Sequence, residues 1–166
     1  AKLLAEAALR FKTPAEELAS KIDHLMETAK QLEKEVASYK EKLAAEQGAS
    51  AVAKAEDVAG VKVLVTTLDG MDAKSLRTTM DDLKNKLKSA VILLAVAANG
   101  KIQFCAGVTK DLVGRVKAGE LVNFAAAQAG GKGGGKPDMA MAGATDVAKL
   151  DAAMTSAKTW IAEKLA

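Results

Sequence analysis

From Leu18 to Leu43 the apolar positions Leu18, Ile22, Leu25, Ala29, Leu32, Val36, Tyr39 and Leu43 alternate spacings of four and three. That rhythm is an a/d heptad stripe, which holds one seam of a helix toward a partner surface. Thr13-Pro14-Ala15-Glu16 supplies a capping box with proline at the first helical position, and Gly48 supplies a stop. The pattern predicts a helix over 14–47, spanning roughly 50 Å at the α-helical rise. Leu3, Leu4, Ala7, Ala8 and Phe11 predict a preceding helix over 1–12, too short to cover the seam. The rest of the stripe must therefore meet another chain, the body of the protein, or residues outside this sequence. His24 falls at a polar c position and reads as an ordinary exposed histidine.

No apolar run approaches the ~20 residues of a membrane span. The single cysteine, Cys105, excludes an internal disulfide, and with the single histidine it cannot build a Cys/His zinc site. The expectation is therefore a chain with no metal and no catalytic constellation. A first residue other than Met suggests a piece of something longer, and the lack of a signal-peptide pattern suggests the cytoplasm. The net charge of +3 is concentrated: residues 101–136 hold six basic residues against two acidic ones. Such a patch attracts polyanions, because phosphate contacts add through counterion release.

The rest of the chain reads as a mixed α/β fold. Residues 49–60 read as a linker, and 61–166 as a globular domain of two layers, a mixed sheet with helices packed on it. Val61–Leu68 is a β-branched run closed by Asp69-Gly70. Leu76, Met80, Leu83 and Leu87 mark an amphipathic helix whose last turns carry Lys84, Lys86 and Lys88, favourable against its dipole. Ala90–Ala98 and Lys101–Val108 flank Asn99-Gly100, a type I′ hairpin signal. A short Ala-rich helix over 120–129 and a final helix from about Ala148 complete the set, with Trp160 beside the apolar face as a core anchor.

Gly130 to Gly135 holds five glycines in six positions, with Lys132 inside and Lys136 following. Read as a loop over 130–136, this segment lets backbone amides approach an anion. It falls short of a P-loop: Pro137 stands where Ser or Thr would hold magnesium, and a helix precedes it where a strand is required. Nucleotide hydrolysis is rejected, and no cofactor is expected. The few aromatic residues do not cluster in the basic stretch, which disfavours stacking on single strands.

The run from Gly130 through Lys136-Pro137-Asp138-Met139-Ala140 carries a resemblance, together with Thr109-Lys110-Asp111, Arg115-Val116-Lys117-Ala118-Gly119-Glu120-Leu121 and Leu76–Lys84. Along with the heptad helix, it resembles the C-terminal domain of bacterial alanyl-tRNA synthetases and, more distantly, the DHH-family phosphoesterases. The resemblance implies a parent that charges tRNA with alanine and edits mischarged tRNA at a zinc site elsewhere. It implies that this part is a non-catalytic appendage that contacts the outer corner of tRNA, alanine tRNA first, by shape and phosphate recognition. It also implies contact with the rest of the synthetase, and in some members dimerisation through the helical arm over 1–48. Lys132 and Lys136 would contact phosphates, the amides of Gly133, Gly134 and Gly135 would donate, and Lys110, Arg115 and Lys117 would flank them. Lys136 stands where the family usually has Arg, which keeps the charge and removes the bidentate fork. Met141 stands where Gln is common. A pure dimerisation module, a nonspecific DNA-binding domain and the substrate half of a phosphoesterase remain open on the sequence.

Overall fold

The computed structural model describes residues 1–166, which divide into two units, Ala1–Glu41 and Lys42–Ala166. In the first unit, helix α1 (Lys2–Phe11) ends on Lys12 in the left-handed conformation. Pro14 is extended and a 3₁₀ turn, Ala15–Glu17, follows with no side-chain cap. The expected capping box does not form, and helix α2 (Leu18–Val52) begins four residues later than expected. Ile22, Leu25, Leu32, Val36 and Tyr39 of the heptad stripe are solvent-exposed, whereas Leu18 is buried.

Helix α2 crosses into the second unit and passes straight through Gly48, against the expected stop. Tertiary packing overrides the glycine's local preference: continuing the helix buries Ala51 in a cluster with Leu64, Leu68 and Leu76. Gln47 fastens this end, its amide donating to the Asp69 carbonyl at 2.7 Å and accepting from the Asp69 N–H at 2.8 Å. The supposed linker over 49–60 is therefore structured. It holds the end of α2 and strand β1 (Glu56–Val58), which turns through Ala59 and Gly60, both at positive φ, onto β2 (Val61–Leu68).

Helix α3 (Ala73–Leu87), capped by the Asp72 carboxylate on the Ser75 N–H at 2.7 Å, carries the chain over to β3 (Ala90–Ala98). Strands β2 and β3 are consequently parallel. Asn99 and Gly100 take φ of 53° and 72°, the expected hairpin turn into β4 (Lys101–Val108). A 3₁₀ turn (Lys110–Leu112), α4 (Ala118–Gln128), β5 (Lys132–Gly135), β6 (Met139–Ala144), a 3₁₀ turn (Val147–Lys149) and α5 (Leu150–Leu165) complete the unit. The sheet order is β1-β2-β3-β4-β6-β5, antiparallel except at β2–β3.

Strand alternation assigns every side chain to one of two faces. Val91, Leu93, Ile102, Phe104, Ala140 and Ala142 join Leu121, Ala125, Ala157 and Ile161 of α4 and α5. On the opposite face, Leu64, Ile92, Leu94 and Cys105 meet Leu76, Met80 and Leu83 of α3. Helices thus cover both sides, so the sheet with packed helices has three layers where the sequence suggested two. The near-unbroken burial of β3 is the mark of that arrangement.

Candidate nucleic-acid interface

The glycine-rich segment is not a loop. Lys132–Gly135 forms the edge strand β5, paired through Gly133↔Ala142 and Gly134↔Met141. Its residues therefore have two different jobs. A Cβ on Gly131 would run into the Gly143 carbonyl oxygen and reach Ala144 Cα at 2.6 Å; one on Gly133 would strike the Ala142 Cβ; one on Gly135 would come within 2.8 Å of the Ala140 Cβ. These three are glycines because β5 lies hard against β6. From the α4 side, a Cβ on Gly119 would come within 2.9 Å of the Gly135 carbonyl oxygen. Gly134 is different: nothing lies within 4 Å of where its Cβ would be, and its φ is not positive.

Antiparallel pairing also decides where the amides point. The Lys136 N–H donates to the Met139 carbonyl at 3.1 Å, so by alternation the Gly134 amide belongs to the ladder while those of Gly133 and Gly135 face the edge. The Gly133 N–H donates there to Asn123 Oδ1 at 3.3 Å. The expected cradle of three converging amides is thus replaced by a strand with its donors largely engaged, and cationic side chains are what this region offers to an anion.

The Lys136–Asp138 turn brings several of them together. The Ala118 N–H donates to the Pro137 carbonyl at 2.8 Å and the Val108 N–H to the Asp138 carbonyl at 2.9 Å. Lys117, preceding Ala118, and Lys110, just beyond Val108, are therefore carried to the same end of the sheet as Lys136, and all three are exposed. Lys132 stands at the other end of β5, roughly 13 Å away at the strand rise. Arg115 has another attachment: its guanidinium donates to the Leu165 carbonyl, placing the charge at the negative end of the α5 dipole.

Asp111, the acid within this basic end, acts as a fastener. Its carboxylate accepts from Ser89 Oγ at 2.5 Å and from Thr109 Oγ1 at 2.6 Å. The bond from Ser89, then that from Thr109, holds its pKa below the usual 3.8. Buried Thr109 also accepts from the Ala90 N–H at 3.1 Å, so the start of β3 and the exit of β4 are tied together.

Two further cations lie here that are not among the phosphate ligands expected from the sequence. Lys84 of α3 donates from Nζ to the Asp138 carbonyl at 3.1 Å, and Arg77 donates from Nε to Met141 Sδ at 3.0 Å. Arg77, Asp81 and Lys84 follow one helical stripe, and all three act electrostatically on Cys105, the strand partner of Met141. Burial is the leading cause that pushes the Cys105 thiol up to about 12. The signal was the 77–81–84 spacing, which shows a shared face only once the strand beneath it is known. Trp160 lies elsewhere. It is stacked on Phe124 with centroids 5.7 Å apart and has Lys164 over its ring at 5.3 Å, half-buried against the α4–α5 core.

Residues 60–163 match the family model described as the DHHA1 domain. The alanine–tRNA ligase of Methylobacillus flagellatus is 55% identical over 164 residues, 99% of this chain and 19% of the ligase. That of Paracidovorax citrulli is 55% identical over 97% of this chain and 17% of the ligase. The chain thus spans about a fifth of the length of these relatives, matching a C-terminal appendage and not their catalytic part. Among solved structures, the C-Ala domain from Aquifex aeolicus alanyl-tRNA synthetase aligns at 26% identity and a TM-score of 0.58, covering 67% of this chain and 96% of that domain. With the fold and the sequence in agreement, the chain belongs to the DHHA1 domain family.

Proposed function

We propose that this chain binds tRNA through its sugar–phosphate backbone, as the C-terminal part of an alanine–tRNA ligase. The observation that carries the reading is the gathering of Lys110, Lys117 and Lys136 around one turn, with Lys132 along the same edge strand. Backbone contact suits a surface of ammonium groups with no aromatic platform among them, because stacking on splayed bases needs planar partners. The body docks on the outer elbow of the tRNA and so assists aminoacylation and editing carried out elsewhere in the cytoplasmic parent, with no cofactor of its own. Arg115 flanks this group: one guanidinium nitrogen donates to the Leu165 carbonyl, and its remaining donors stay open to a phosphate.

Titration of tRNA against salt tests this. Lys132→Ala and Lys136→Ala should each lower the log–log salt slope by roughly one; unchanged slope and affinity in both overturns the assignment. A minihelix lacking the elbow should bind more weakly than intact tRNA, and duplex DNA should compete poorly at physiological salt.

The exposed heptad stripe of α2 supports a second role, pairing with another copy of the chain. Leu25→Asp and Leu32→Asp should then abolish a concentration-dependent mass in analytical ultracentrifugation while leaving tRNA affinity intact. A wild-type mass that does not change with concentration removes this role.

A further inference from the structure

We infer that the RNA backbone lies in a trough between α3 and the uncovered face of β6 and β5, where Arg77 and Lys84 bind phosphates together with Lys132 and Lys136. The inference rests on the tRNA-binding reading and adds the face, the track and two ligands.

Pairing register fixes the floor. Lys132, Gly134 and Lys136 pair with Gly143, Met141 and Met139, and Met141 is the residue that Arg77 touches from α3. All of these therefore point to the α3 side of the sheet. Helix α3 covers β3 and β4 through Leu76, Met80 and Leu83, but it stops short of the last two strands. Met139 and Met141 remain half-buried, and Gly143, Lys132 and Gly134 are exposed. One wall is the Arg77–Asp81–Lys84 stripe, the opposite rim is Lys132 with Lys136, and the floor between them is bare at Gly134.

Gly134 is the telling position. Neither packing nor backbone conformation demands glycine there, so its lack of a side chain keeps the trough open. Four cations and an unobstructed strand fit a polyanionic chain better than an apolar partner. Lys84 keeps donors to spare beyond its bond to Asp138, and Arg77 has both terminal nitrogens uncommitted to Met141. Asp81 sits between them and repels phosphate, so the RNA presents a sugar edge there; a 2′-hydroxyl is the donor that a carboxylate accepts.

The test uses the whole chain, tRNA and a salt series. Arg77→Ala and Lys84→Ala should each weaken binding roughly fivefold at physiological salt and flatten the slope by about one unit. Gly134→Glu, which adds a carboxylate to the trough without disturbing the strand, should weaken binding by more than about tenfold with an unchanged melting temperature. Lys158→Ala, a cation paired with Glu56 at 2.7 Å, serves as the control and should change neither. If Lys132→Ala and Lys136→Ala weaken binding while Arg77→Ala and Gly134→Glu do not, the track is wrong and the tRNA reading stands. If none of the four changes it, both are wrong.

Discussion

The two sides of strands β5 and β6 are built from neighbouring residues by opposite rules. Toward α4, every odd position from Gly131 to Gly135 is a glycine that the β6 backbone forbids to be anything larger, and Ala140, Ala142 and Ala144 face it as small, buried partners. Toward α3, the even positions are Lys132, Gly134 and Lys136, all exposed. One short strand therefore combines a close-packed surface with an open, cationic one. The difference teaches that a glycine run need not have a single cause. Close-packed interiors tolerate almost no added volume, whereas an open face can be bare because something else has to lie on it.

The sharpest way to break this comparison is a matched pair of substitutions one residue apart. Gly133→Val drives a branched side chain into Ala142 and should destabilise the body by on the order of 4 kcal/mol, with overpacking of a rigid backbone neighbour as the cause. Gly134→Val should cost less than about 0.5 kcal/mol, since a β-branched residue suits an exposed strand position with free space above it. Denaturant melts of both variants check this. Equal losses would mean that the two faces of β5 are equally packed and that the open trough does not exist.

The alternation behind that pair could not be read from the sequence, although both of its ingredients are there. Local signals announce Val61–Leu68 by its β-branched run, the hairpin by Asn99-Gly100 and the helix by the spacing of Leu76, Met80 and Leu83, because each is a local pattern with one structural solution. Lys132–Gly135 has no hydrophobic period and four residues of low strand propensity, so local reasoning makes it a loop. It becomes a strand only because β6 is present to pair with it, a partner whose small alanines carry little signal of their own. The same limit hid Arg77 and Lys84, whose charge could be counted but whose direction depended on which strand lay beneath α3. Gly48 failed in the opposite sense: a strong local stop lost to the burial of Ala51 three residues later.

A second, smaller contrast sharpens the same division. Leu121 of α4 is fully buried against the packed face, and Leu121→Ala should cost about 3 kcal/mol through lost transfer energy and a residual cavity. Met141 points the other way from β6 and is only half-buried beside Arg77. Met141→Ala should cost less than about 1 kcal/mol. A reversed order in thermal melts would place the continuous core on the α3 side of these strands.

The smallest expected effect concerns pH and belongs to the end of the sheet where the cations gather. The packed face is apolar and has no group to titrate, so acid should leave it untouched. Asp111 is different, because its carboxylate ties Ser89 and Thr109 together by two short hydrogen bonds. Those bonds lower its pKa in the folded chain below the 3.8 of a free side chain. A carboxylate depressed in this way favours the folded state fully above its unfolded pKa, and that contribution disappears as pH falls through the folded value. Asp111→Asn should therefore lower the melting temperature slightly near neutrality, and the gap to the unmodified chain should close as pH falls below 3.8 and through the lowered folded value. The effect stays small because the group is solvent-exposed and water screens it. A gap of constant size across that range would mean that the carboxylate charge does no fastening, leaving neutral hydrogen bonds alone to hold the turn that presents Lys110.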